Sequence, residues 1–69
     1  MNTQSLPSTF IRLPSVMART SISRSSIYKQ MEEGTFPKQV NTSAKSVAWV
    51  SHEIDEWIVS KINSRDTIH

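Results

Sequence analysis

Ser23-Arg24-Ser25-Ser26-Ile27-Tyr28-Lys29-Gln30-Met31-Glu32-Glu33-Gly34 is the stretch on which the fold turns. Ser23 carries a hydroxyl suited to accept the backbone N–H of Ser26, one of the orphan donors of a first helical turn. Ile27 and Met31 follow at i, i+4 and would share one face. Gly34 is the chain's only glycine, and it falls where a helix C-terminus needs a left-handed residue. These features predict a helix over Ser23–Glu33 that turns Ile27 and Met31 inward.

Working back from that helix, Thr20-Ser21-Ile22 breaks the pattern, and Pro14 has the fixed φ that suits a helix start. A short helix Pro14–Arg19 would present Val16 and Met17 inward, with Leu13 packing at its beginning. Two helices joined by a three-residue turn make a helix-turn-helix, with Ile22 plugging the angle. Working forward, Phe36-Pro37-Lys38-Gln39-Val40 and Val47-Ala48-Trp49-Val50 read as two short strands. Pro37 confines the first to an edge or a strand start. Residues 41–46 read as the hairpin tip, and so small a hairpin must lie against the helices. Ser51 is an N-cap candidate for a last helix, with Glu53, Asp55 and Glu56 complementing its dipole. Ile54, Trp57, Ile58 and either Lys61 or Ile62 form its apolar stripe.

The expected fold class is therefore mainly α with a small β-hairpin, in the order helix-helix-strand-strand-helix: a winged helix-turn-helix. The expected organisation is a flexible arm over residues 1–10, the domain over residues 11–62 and a tail over residues 63–69. No repeat or linker divides it.

Composition narrows the function classes. With 69 residues, the chain forms one domain burying only about 60% of its unfolded surface, which leaves little room for a deep pocket. It has no cysteine and two histidines, His52 and His69, so neither disulfides nor a zinc site are expected. No nucleophile, base and orienting group occur together, and one glycine cannot build a phosphate-cradling loop. The expectation is a protein that is not an enzyme and needs no cofactor. The first ten residues lack the basic and apolar regions of a signal peptide. No run approaches the roughly 20 apolar residues that span a membrane, so a cytoplasmic protein is expected.

The net charge is only +2, but it is segregated. Between Arg12 and Met31 the charged residues are Arg12, Arg19, Arg24 and Lys29, followed later by Lys38 and Lys45. The acids are Glu32, Glu33, Glu53, Asp55, Glu56 and Asp66. Such segregation suits one face to a polyanion, though ordinary solvated surface produces modest clusters too.

Four segments then meet a known pattern: Ser23-Arg24-Ser25-Ser26-Ile27-Tyr28-Lys29, Glu33-Gly34-Thr35-Phe36-Pro37-Lys38, Val47-Ala48-Trp49 and Glu53-Ile54-Asp55-Glu56-Trp57-Ile58. In this order and spacing, over about residues 10 to 61, the chain resembles the AlpA family of phage and prophage DNA-binding regulators. That family is related in fold to excisionases and to the DNA-binding domain of MerR regulators. The resemblance implies a transcriptional regulator, often one acting on an integrase gene; some relatives act as excision factors beside a recombinase. The chain departs from the family at two places. Glycine is common where Ser21 stands, so a strained or altered turn is expected there. Glycines are also common in the hairpin tip, here Thr42-Ser43-Ala44, so the wing is expected to differ.

An α-helix fits the major groove of B-DNA, and the second helix of such a motif usually enters it. With Ile27 inward, Ser25, Tyr28, Lys29 and Glu32 project the other way. Arg24, in the first turn, would contact a base or phosphate, since a guanidinium pairs bidentately with guanine. Ser25 would donate to a base edge or phosphate, and Lys29 would hold phosphate. Tyr28 would touch phosphate or a thymine methyl, or else lean on the core. Ser23 is a cap before it is a contact. In the wing, Lys45, Thr42, Ser43 and Lys38 would clamp phosphates, with Lys38 alternatively guarding a sheet edge. Arg12 and Arg19 would reach the backbone from the first helix. Trp49 and Trp57 sit on apolar positions and are read as core.

Double-stranded DNA is the expected partner, with further copies of the chain on repeated sites, since one small copy offers few base contacts. Integrase and RNA polymerase are the protein partners such a regulator would meet. Two rival functions stay open: an excision factor on attachment-site DNA, and a protein-interaction module that inhibits a regulator.

Overall fold

The computed structural model describes residues 8–65. Strand β1 covers Phe10–Ile11, helix α1 Leu13–Thr20, helix α2 Arg24–Glu33, strand β2 Val40–Ser43, strand β3 Ser46–Val50 and helix α3 Ser51–Arg65. The expected helix-helix-strand-strand-helix order is present, with one short strand added in front.

Five parts of the chain send one side chain each to a common centre. Val16 from α1, Ile27 from α2, Trp49 from β3 and Ile54 from α3 are fully buried, and Phe36 from the loop after α2 is 4% exposed. Ile22, Met31, Trp57 and Ile58 pack around them half-buried. Each of these large apolar side chains contributes about 1.5–3 kcal/mol when fully buried. A domain this small has few others to rely on.

The termini of the first two helices follow their sequence signals. Ser23, at φ −75 and ψ 162, accepts the Ser26 N–H at 3.2 Å and caps α2. Gly34 ends it in the left-handed conformation at φ 80, its N–H donating to Met31 O at 3.2 Å while Thr35 N–H reaches Gln30 O at 2.9 Å. Helix α1 begins one residue before Pro14, whose missing N–H is one that a first turn leaves unpaired. It ends at Ser21, φ 63 and ψ 22, whose N–H donates to Met17 O at 2.8 Å. The strain expected at Ser21 is therefore present: it is the one non-glycine residue with positive φ among the described residues, and an L-residue there costs about 1–2 kcal/mol.

The sheet differs from the expected hairpin. Residues 36–39 are not strand, and pairing starts at Val40, with Val40 opposite Ala48, Asn41 opposite Val47 and Ser43 opposite Ser46. Two demands remove the earlier residues from the ladder. Phe36 turns into the core, and the carbonyl of Pro37 accepts the Trp49 indole N–H at 3.1 Å. The tip shortens to Ala44-Lys45, neither of which takes a positive φ, so glycine is not required there. A tip without left-handed residues splays its strands, and an irregularity between Asn41 and Ser43 absorbs the mismatch.

The expected arm lies mostly outside the described residues, at 1–7; its end is structured. Phe10 pairs with Val50 and Ile11 with Trp49, giving an antiparallel sheet of order β1-β3-β2. The same segment completes the start of α3. The Ser51 N–H donates to Thr9 O at 2.7 Å, and the His52 N–H donates to Ser8 Oγ at 3.1 Å. Ser51 is thus the first residue of α3 rather than its side-chain cap; the caps come from the arm. At the other end, α3 continues through Asn63 to Arg65 in place of the expected frayed tail; the rest of that tail, residues 66–69, lies outside the described residues. Ile62 is 47% exposed, so the buried stripe stops at Ile58.

The two left-handed caps predict opposite responses. Gly34→Ala should lower stability by about 1 kcal/mol, because a Cβ strains that φ although no atom lies within 4 Å to clash with it. Ser21→Gly should raise stability by about 0.5–1 kcal/mol by relieving the same strain. Thermal unfolding followed by circular dichroism should show shifts of roughly 2–8 °C in opposite directions. Shifts of one sign would contradict the assigned caps.

Candidate nucleic-acid interface

Ile27 sets what α2 can offer. Its burial fixes the rotation of the helix, and Arg24, Ser25 and Lys29 stand exposed, with Tyr28 half-buried between faces. Ser25 Oγ lies 3.3 Å from the capping Ser23 Oγ. Arg24 does not extend freely: its Cζ lies over the Tyr28 ring, 5.8 Å from the centroid. Tyr28 in turn meets Trp49 edge-on, with centroids 6.2 Å apart and planes at 70°. Tyr28 therefore leans on the core, the second of its two expected roles. Arg24 and Tyr28 are spaced i, i+4 on a helix, and that spacing is the sequence signal from which their contact can be read.

In the wing, Lys45, Thr42 and Ser43 are exposed, but the hydroxyls are partly used by the hairpin itself. Thr42 Oγ1 donates to Ser46 O at 3.3 Å, and a hydroxyl has one proton, so Thr42 is left as an acceptor. Ser43 Oγ accepts the Lys45 N–H at 3.4 Å and keeps its proton for an external acceptor such as phosphate. Lys45 sits at the tip, exposed to solvent.

The remaining cations divide. Arg12 is exposed at the N-cap of α1. Lys38 lies on the loop before β2 and lines, with Phe36, Trp57, Glu53 and Glu56, an open groove against α3. Lys29 has Glu32 and Glu33 three and four residues on along α2, whereas no acid lies in the first turn of that helix beside Arg24. Arg19 is used internally. Its guanidinium pairs with Asp55 and donates from Nη1 to Ser51 Oγ at 3.1 Å, so it fastens α1 to the first turns of α3. Sequence spacing carries no sign of this pair, because α1 and α3 meet only after the chain has folded back.

Both tryptophans are structural. Trp49 is fully buried. Trp57 donates its indole N–H to Thr35 O at 3.0 Å, lies edge-on to Phe36 at 5.0 Å, and is covered by Lys61 at 5.4 Å. The acids Glu53 and Glu56 project from α3, with Glu56 3.2 Å from His52 Nε2. The result is an exposed side of α2 and a hairpin tip carrying Arg24, Ser25, Lys29, Ser43 and Lys45, none in an ion pair among the described residues. The acids Glu53, Asp55 and Glu56 gather on a separate helix. No helix among the described residues is long and apolar enough to cross a membrane.

Comparison with known proteins bears on this arrangement. Residues 9–62 match the family model described as prophage CP4-57 regulatory protein (AlpA). The chain is 41% identical over 56 residues to the uncharacterized protein ORF88 of Enterobacteria phage P4, covering 81% of this chain and 64% of that protein. It is 39% identical over 54 residues to the DNA-binding transcriptional activator AlpA of Escherichia coli K12, covering 70% of this chain and 77% of that protein. The chain thus spans less than two thirds of the length of the phage relative.

The role given to Arg19 is open to a direct check. Arg19→Ala and Asp55→Ala should each lower stability by no more than about 1 kcal/mol, the range of partly exposed pairs. The double mutant should fall short of the sum by about 0.5 kcal/mol. Denaturant unfolding of the three variants measures this, and strict additivity would contradict the pair.

Proposed function

The chain belongs to the AlpA family, and from that premise we propose that it is a sequence-specific DNA-binding transcriptional regulator whose α2 enters the major groove. The observation that carries the reading is the α2 surface itself. Ile27 is wholly buried, which turns the exposed Arg24, Ser25 and Lys29 away from the core on the helix that follows a helix-turn-helix turn. Arg24 in the first turn meets base edges, Ser25 donates to a base or phosphate, and Lys29 binds phosphate. The wing, through Lys45 and the Ser43 hydroxyl, holds the neighbouring backbone, and Arg12 adds a phosphate contact from the start of α1. Arg19 and Lys38 take lesser roles, one being tied to Asp55 and the other lining a groove with Glu53 and Glu56. The genes controlled are those of a prophage or mobile element, an integrase gene foremost. So few base-reading side chains favour several copies on repeated sites.

Arg24→Ala together with Lys29→Ala should leave the fold intact, since both side chains are exposed. On sites located by genome-wide mapping of bound DNA, the pair should weaken binding. The slope of log K against log salt should become shallower by about 0.9 for each phosphate no longer neutralised. Fluorescence anisotropy across a salt series measures both. An unchanged affinity and slope would count against these roles and favour a module that binds protein instead.

A further inference from the structure

Arg24, Tyr28 and Trp49 form a stack that runs from the surface to the centre of the core. Trp49 is held fast at its base: it is fully buried and its indole N–H is bonded to Pro37 O at 3.1 Å. The Tyr28 ring stands edge-on against it at 6.2 Å and offers its outer face to the Arg24 guanidinium at 5.8 Å. The Tyr28 hydroxyl makes no hydrogen bond among the described residues, so the ring, rather than the oxygen, carries the interactions seen.

We propose that Tyr28 is a positioning residue, whose ring holds the Arg24 guanidinium aimed for a base edge, so that sequence discrimination depends on the ring. This rests on the reading of α2 as the groove-entering helix. An arginine on the first turn of an exposed helix samples many rotamers, and fixing one of them on contact with DNA costs conformational entropy. A guanidinium already resting on an aromatic face has part of that ordering done beforehand. A planar fork gains most from such aim, because bidentate pairing with guanine tolerates little angular error. Phosphate contacts by Lys29 and Lys45 need no comparable aim, being made by a compact ammonium on a flexible stem. The ring therefore affects which sequence is chosen more than how strongly any duplex is held.

The test compares Tyr28→Phe with Tyr28→Leu. Wild-type binding to a mapped site and to a duplex altered at single positions is measured first by fluorescence anisotropy, with a salt series. Tyr28→Phe keeps the ring and should match wild type in discrimination and in salt slope. Tyr28→Leu should lose roughly 2- to 5-fold in discrimination at the position read by Arg24, the worth of an exposed cation–π contact, with its salt slope unchanged. Arg24 side-chain order, read from the Nε–Hε NMR signal of the free protein, should be high in wild type and Tyr28→Phe. It should fall in Tyr28→Leu; should that variant not fold, the free-state signal of the other two proteins still decides. Equal losses for Phe and Leu would mean that the hydroxyl is the working group and would overturn the proposal. So would undiminished discrimination in a folded Tyr28→Leu, or a disordered Arg24 in the free wild type. A wild type that binds no duplex would bring down the regulator reading and this inference together, and is distinguished by being measured before any variant.

Discussion

The burial of Ile27 against Val16, Phe36, Trp49 and Ile54 is the constraint on which the rest of the molecule depends. It sets the rotation of α2 about its own axis, and hence which residues meet solvent. It also brings together five parts of the chain that are otherwise joined only by short turns. With one large side chain from each part, the core has no redundancy: any one of the five, if shortened, leaves a cavity that its neighbours must collapse to fill. The hydrogen bonds of the two buried or half-buried indoles serve the same centre. Trp49 ties β3 to the loop at Pro37, and Trp57 ties α3 to the loop at Thr35. That loop leaves α2 and enters the wing, so helix and wing are held in a fixed relation by apolar packing and two N–H groups.

The parts legible in the sequence are those fixed by local chemistry. The Ser23 cap, the Gly34 stop and the Ile27–Met31 spacing are short-range signals, and α2 forms where they place it. The left-handed cap at Ser21 is legible only through the family resemblance, in which glycine is common at that place. What is not legible depends on residues distant in sequence. Strand β1 is two residues long, too short for any periodicity to register, and exists because β3 offers an edge. Ser51 resembles an N-cap by type, but Ser8 and Thr9 arrive to satisfy the first N–H groups of α3, and its hydroxyl accepts from Arg19 instead. The first wing strand begins at Val40 and not at Phe36, because β-propensity cannot show that Phe36 is needed in the core. For the candidate site, the helix residues are legible from which way Ile27 points. The Arg24–Tyr28 contact is also legible, from its i, i+4 spacing; the tie of Arg19 to Asp55 is not, since it depends on what Arg19 meets in space.

The cations are thus not equivalent, although the sequence presents them as one basic run. Arg19 is paired within the fold, and Lys38 borders the same groove as Glu53 and Glu56. Arg24 is oriented by an aromatic ring. Lys29 and Lys45 make no ion pair among the described residues, one on α2 and one at the wing tip. The net charge of +2 is unevenly spread: three of the six acids lie on α3, while Glu32 and Glu33 sit in the last turn of α2, away from Arg24.

The central claim is that α2, held by Ile27, presents its first turn to a duplex while the wing tip holds the adjacent backbone. Amide and side-chain NMR shifts on titration with duplex DNA test it most directly. The account predicts the largest changes at residues 24–29 and 42–45, with α3 beyond Ile54 nearly silent. Changes centred on residues 53–62, with α2 unmoved, would contradict it.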